Sequence, residues 1–303
     1  MLHVVHHHGY VAPAAQGSAF QWDKYGLVMQ ALAEGAPFEV HAPERMPRRW
    51  IEAVHDPAYV DEVLAMALPK DKERRIGFPL NERNMIRAQL SPGGTWLAAK
   101  LARQHGYAAN AAGGSHHALP DTGAGYCVFN DLAITANRLI AEGDARAILI
   151  LDLDVHQGDG TAVLTAGRDD IFTLSLHAER NFPARKARST LDVPLPDAIG
   201  DDDYLAALAD VLPRVLAAFA PDLILYQAGV DPHVDDRLGR MALSDAGLAA
   251  RDRYVAHQAK DRAIPIASTL GGGYGADRMA VARRHVASMR TMAEAYGGVA
   301  TAA

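Results

Sequence analysis

Four stretches of the chain are apolar at nearly every position: 147–151, 171–176, 223–226 and 264–269. A strand with one face in water alternates apolar and polar residues. Unbroken runs of this length therefore predict strands covered on both faces, as parallel strands are. Residues 2–5 form a shorter run of the same kind. Between the runs, apolar residues take helical spacing. Residues 130–142 are apolar at 132, 134, 136, 139 and 140. Residues 201–219 are rich in Ala and Leu and begin with Asp201, Asp202 and Asp203, which suit a helix N-terminus. Pro213 is expected to kink or break that helix. Residues 244–260 start on Ser244, a helix-capping residue type. The stretch 178–196 shows little periodicity and reads as a long surface loop, of a length that is usually functional. Strand–helix alternation with no linker predicts one α/β domain over 1–303: a mainly parallel central sheet flanked by helices on both faces.

Ligand sites in such sheets lie beyond the carboxyl ends of the strands. Asp152, Asp154 and His156 follow the run 147–151, and His177 follows 171–176. Asp231 follows 223–226, and Gly271-Gly272-Gly273-Tyr274 follows 264–269. Asp154 and His156 are two apart, so an extended strand end would point them the same way. With Asp231 they make three ligands for a divalent ion such as zinc, leaving a position open for chemistry. An Asp after a strand also serves simply to cap a helix; the convergence of four strand ends favours the metal reading. His116 and His117 stand together in Gly113-Gly114-Ser115-His116-His117. Asp152 and Asp159 remain to accept the far N–H of each ring, which would fix the tautomers and build a general acid–base pair. The glycines 271–273 lack a phosphate-loop pattern. Tyr274 beside them offers a hydroxyl donor to a developing oxyanion.

Composition narrows the function class. The 303 residues are 49% hydrophobic, ample for a large core. A net charge of −6 argues against a nucleic-acid binder, which carries a basic excess. A single cysteine, Cys127, excludes an intramolecular disulfide and suits a reducing cytoplasm, the expected location. No run of about 18 apolar residues predicts a membrane span. Residues 1–10 lack the apolar core of a signal peptide, and His6, His7 and His8 read as native sequence at a strand end.

In this order and spacing, four segments resemble the zinc-dependent histone deacetylase family of the arginase/deacetylase superfamily. They are Gly113–His117, Gly125-Tyr126-Cys127-Val128-Phe129-Asn130-Asp131, Asp152–Gly160 with Asp231, and Gly271–Tyr274. The resemblance covers nearly the whole chain. It implies Zn2+ (or Fe2+) on Asp154, His156 and Asp231. His117 with Asp159 would be the general base and then the acid, His116 with Asp152 an electrostatic partner, and Tyr274 the carbonyl-polarising donor. Gly125, Tyr126, Phe182 and Gly272 would line an acyl-lysine tunnel. A structural K+ would sit at Asp152, Asp154, His156, Ser175 and Leu176. Gln157 after His156, Phe20-Gln21-Trp22-Asp23-Lys24-Tyr25 and Asn181-Phe182-Pro183-Ala184-Arg185-Lys186 are similar to bacterial class IV-like members. Tyr126 stands where many family tunnels carry Phe. The acidic residue that grips substrate at the rim in some members has four candidates, Asp23, Glu52, Asp56 and Asp61. The implied activity is removal of an acyl group from acylated lysine in protein or peptide. The rivals are hydrolysis of acetylated polyamines, a catalytically silent binding protein, and a scheme with Cys127 as nucleophile.

Overall fold

The computed structural model describes residues 1–11 and 20–297. Residues 12–19 and 298–303 of the expected 1–303 domain lie outside the described residues. Eight strands form one sheet: β1 (Leu2–Val5), β2 (Phe38–His41), β3 (Tyr107–Asn110), β4 (Ile148–Asp152), β5 (Ile171–Ala178), β6 (Leu191–Leu195), β7 (Leu223–Gln227) and β8 (Ile266–Thr269). Their order is β2-β1-β3-β8-β7-β4-β5-β6, and every pairing is parallel. The sheet is thus wholly rather than mainly parallel, and every strand-to-helix exit lies along one rim.

The helices are α1 (Lys24–Ala33), α2 (Arg48–Ile51), α3 (Pro57–Leu64), α4 (Lys70–Ile76), α5 (Glu82–His105), α6 (Asp131–Ala141), α7 (Asp159–Leu164), α8 (Asp201–Phe219), α9 (Asp245–Lys260) and α10 (Arg278–Tyr296). Alternate strand residues enter two separate cores, because side chains switch faces at each step along a strand. Ile148, Ile150, Leu223 and Leu225 pack with Ala98, Leu101 and Leu132 of α5 and α6. Leu149, Leu151, Ile224 and Tyr226 pack with Leu212, Val255 and Met289 of α8, α9 and α10. Both faces are covered, which explains the unbroken apolar runs.

Three local expectations fail. Helix α8 runs unbroken through Pro213, so the helix does not break there. Leu208, Val211, Leu212, Val215 and Leu216 are buried on both sides of it. Each large aliphatic burial is worth roughly 1.5–3 kcal/mol, so together they outweigh a proline cost of ~3 kcal/mol. Nor is 178–196 a plain loop. β5 extends to Ala178, and β6 occupies Leu191–Leu195 as an edge strand. Pro194 disguised it, since proline enters sheets chiefly at edges. Finally, Asp154 and His156 lie on a bend after β4 rather than on extended strand. Their convergence comes from the turn. Ser244 caps α9 as expected, its hydroxyl accepting from Gly247 N at 3.0 Å.

Candidate active site

The ends of β4 and β7 bring Asp154, His156 and Asp231 together, with one ligand atom of each within 4.8 Å of the others. His156 Nδ1 stands 3.1 Å from Asp154 Oδ1 and 3.3 Å from Asp231 Oδ2. Backbone donors aim the carboxylates. Asp154 Oδ2 accepts from Gly272 N at 2.7 Å, and Asp231 Oδ1 accepts from Val155 N at 2.9 Å. Asp231 Oδ2 is buried, and His156 Nδ1, 3.3 Å away, does not meet it in good hydrogen-bond geometry. A Cβ on residue 272 would lie 1.8 Å from that same oxygen, so glycine is required there by space.

The charges in this pocket ask for a cation. Burial, then the negative charge of Asp154, pushes the Asp231 carboxyl up to about 7. Burial lowers the His156 imidazole, but hydrogen bonds and charge from Asp154 and Asp231 outweigh it and raise it to about 10. The protein alone can neutralise two buried carboxylates only by holding protons there. A divalent ion would displace those protons and satisfy Asp231 Oδ2, so the residues fit one.

The histidine pair also forms as expected. His116 Nδ1 is 2.7 Å from Asp152 Oδ2, and His117 Nδ1 is 2.8 Å from Asp159 Oδ1. Both rings are buried. Their loop is fixed by Asp131, whose carboxylate accepts from Gly114 N (3.0 Å) and Ser115 N (2.6 Å). Gln227 Nε2 donates to Gly114 O at 2.9 Å. The two dyads differ in charge. Burial and the nearby His116 lower His117 to about 4. Burial lowers His116 too, but the charges of Asp152 and Asp154 raise it to about 9.

An inner cavity of about 40 Å³ is lined by Lys24, His116, His117, Gly125, Tyr126, Cys127, Asp154, His156, Gly272 and Tyr274, among others. It opens to a mouth of about 320 Å³ lined by Arg75, Ile76, Gly77, Tyr126, Asn181, Phe182 and Leu238, with His117, Gly125, His156 and Tyr274 at its base. Gly125, Tyr126, Phe182 and Gly272 therefore all line this passage. The Phe182 ring meets His117 edge-on at 4.8 Å. Gly125 takes φ +51° beside His117, where a Cβ would approach the ring to 2.6 Å. Burial and the nearby carboxylates raise the Tyr274 phenol well above its ordinary value, so it stays a proton donor. Burial pushes the Cys127 thiol up as well, which disarms it as a nucleophile.

None of the four acidic rim candidates lines the mouth. Asp23 pairs with Arg278, Glu52 and Asp61 both pair with Arg48, and Asp56 caps α3 through Ala58 N. The charged residue at the mouth is Arg75. Ser175, expected beside a monovalent ion, lies opposite Asp152 in the β4–β5 register, with its hydroxyl 2.9 Å from His177 Nδ1.

Three supports escaped sequence reasoning. Lys24 is buried, donates from Nζ to Gly271 O at 2.8 Å, and is lowered to about 8 by burial. Arg251 is fully buried on α9 and donates from Nη1 to Gly229 O (2.7 Å) and Leu153 O (3.3 Å), gripping the two loops that carry Asp154 and Asp231. Gln157 pins the 178–196 segment. Its Oε1 accepts from Ala187 N, and its Nε2 donates to Ala187 O and Asp192 Oδ1. Lys24 and Gln157 lie in segments quoted above for family likeness, but nothing in the sequence marks these bonds, and Arg251 sits on α9 away from the motifs.

Residues 18–290 match the histone deacetylase domain. An uncharacterized protein of Picosynechococcus sp. is 42% identical over 97% of this chain and 99% of its own. Histone deacetylase 2 of Arabidopsis thaliana is 33% identical over 60% of this chain and 48% of its own. A histone deacetylase-like amidohydrolase of Pseudomonas aeruginosa is 32% identical over 49% and 42%. These alignments span about half the length of those two relatives. Two solved structures share the fold. The HD domain of HDA15 has a TM-score of 0.80 at 21% identity, covering 95% of this chain and 90% of its own. An acetylpolyamine aminohydrolase from Burkholderia pseudomallei has a TM-score of 0.78 at 20% identity, covering 96% and 98%. Fold and family match thus agree with the clustered site, and the chain belongs to the histone deacetylase family.

Proposed function

We propose that the chain is a zinc-dependent hydrolase, of the class IV-like bacterial type, that removes acetyl groups from lysine side chains in protein or peptide. The observation that carries this reading is a pair of buried His–Asp dyads beside a buried Asp–His–Asp ligand set. Zn2+, or Fe2+ in its place, held by Asp154, His156 and Asp231 would supply Lewis-acid polarisation of water and of the amide carbonyl. His117 is neutral and has Nδ1 committed to Asp159, so Nε2 is the atom that takes the water proton and returns it to the leaving amine. His116 stays protonated and offsets the negative charge that develops nearby. Tyr274 donates its phenol proton in a hydrogen bond to the oxyanion. A monovalent ion such as K+ at Asp152, Asp154, His156, Ser175 and Leu176 would brace the same loop.

Two features favour acetyl-lysine. The inner cavity of about 40 Å³ has room for only a few waters, a space suited to a short acyl group. The mouth carries Arg75 and no carboxylate, which opposes a free polyamine cation and tolerates a peptide backbone. The test is a panel of acetyl- to long-acyl-lysine peptides and acetylpolyamines, each with zinc or iron(II). Acetyl-lysine peptide should be preferred. His117→Ala and Tyr274→Phe should each lower turnover by at least about 10²-fold with metal content unchanged. Faster hydrolysis of acetylpolyamines would overturn the substrate assignment, and unaltered turnover in both variants would overturn the mechanism.

A further inference from the structure

A second cluster of metal-ligating side chains lies on the far edge of the sheet. His3 of β1 is registered directly against Glu39 of β2, and His41 follows two residues on. Alternation along the strands therefore puts all three on one face. His3 Nδ1 is 3.1 Å from His41 Nε2 and 3.4 Å from Glu39 Oε2, and His41 Nε2 is 3.7 Å from Glu39 Oε1. One ligand atom from each residue lies within 4.8 Å of the others. Zinc bonds of ~2.0–2.1 Å hold tetrahedral ligand atoms ~3.3 Å apart, close to the His3–His41 separation and to each imidazole's approach to one of the two Glu39 oxygens. The side chains grade from nearly buried His3 (9% exposed) through His41 (22%) to open Glu39 (57%), so an ion could enter from the glutamate side. The His105 ring, at the end of α5, stacks on His3 at 3.9 Å and holds its plane. Strands β3 and β8 stand between β1 and the ligand loop after β7, so this cluster is separate from the hydrolytic site.

We propose that His3, Glu39 and His41 form a second metal site, taking a divalent late transition-metal ion such as zinc with water completing its coordination. Two imidazoles and one carboxylate are a common zinc donor set, and imidazole suits zinc, copper and nickel over magnesium or calcium. The site clips the short edge strand β2 onto β1. It takes no part in hydrolysis.

The full chain, stripped with a chelator and equilibrated with zinc chloride by dialysis, should hold two zinc ions by elemental analysis. Asp231→Ala should remove one ion and leave the edge ion. His3→Ala combined with His41→Gln should remove the other. With the Asp231→Ala chain, cobalt(II) should give the intense visible bands of a tetrahedral site, and these should vanish when the two histidines are also replaced. Glu39→Gln is exposed and leaves the fold intact, and should weaken the edge site at least about tenfold. A single zinc per chain overturns the proposal and leaves His3 and His41 joined by a simple N–H···N hydrogen bond. Two ions that survive the histidine replacements, or unchanged affinity in Glu39→Gln, overturn it as well.

Discussion

His116 and His117 are neighbours in one turn, each bonded through Nδ1 to a carboxylate, yet they are driven to opposite charge states. The difference lies in what stands on the other side of each ring. His116 Nε2 is 3.8 Å from Asp154 Oδ1, a second negative charge, whereas His117 has positive His116 beside it. In the proposed role a base must be neutral to work, so a lowered His117 would keep it competent as the solution becomes acidic. His116→Ala removes one of the causes that lower His117. The His117 value should then rise, and the acid limb of kcat/KM should move to higher pH. A pH–rate profile checks this. A limb that stays in place would belong to another group.

At the scale of elements, the strand ends were legible and the braces between them were not. Runs apolar on both faces marked β4, β5, β7 and β8 in sequence, and the polar residues after them pointed to the Asp154–His156–Asp231 cluster and to the carboxylates of the two dyads. β6 was hidden because Pro194 and its half-buried pattern read as loop. Helix α9 was legible from its cap and spacing, but Arg251 within it was not, because a charged residue on a helix ordinarily faces water. Here it is fully buried, bonded to Asp252 Oδ1 at 2.9 Å and to the carbonyls of two ligand loops. Tyr226 donates to the same Asp252 oxygen at 2.5 Å. Arg251→Met keeps much of the volume but leaves Asp252 buried without its cation. Loss of about 3–5 kcal/mol in urea unfolding is expected. A loss under about 1 kcal/mol would show that the ion pair does not hold these loops.

For the whole molecule, a parallel sheet covered on both faces places every strand exit on one rim, and the chemistry collects there. The chain that returns around the rim is tied down by His55. Its Nδ1 lies 2.9 Å from Leu119 O, and its Nε2 accepts from Asn130 N at 2.9 Å, so the ring must be neutral. Burial lowers it to about 4 against an ordinary value of 6.5. The neutral form favoured by the fold stabilises fully above pH 6.5. That contribution, on the order of 3 kcal/mol, is lost as pH falls from 6.5 toward 4. Unfolding free energy should therefore drop over this window, and less so in His55→Asn. An equal drop in both would assign the acid sensitivity to other groups. The Gln157 tether has a different consequence, for how such enzymes diversify. The β5 end is bonded through Ala178 N to Val155 O at 2.9 Å, and Gln157 fastens Ala187. The arc between these two anchors is mostly exposed and carries Phe182 to the passage mouth. Both anchors lie outside 179–186, so substitutions within that arc can alter the passage mouth while the dyads and the Asp154, His156 and Asp231 cluster stay where they are.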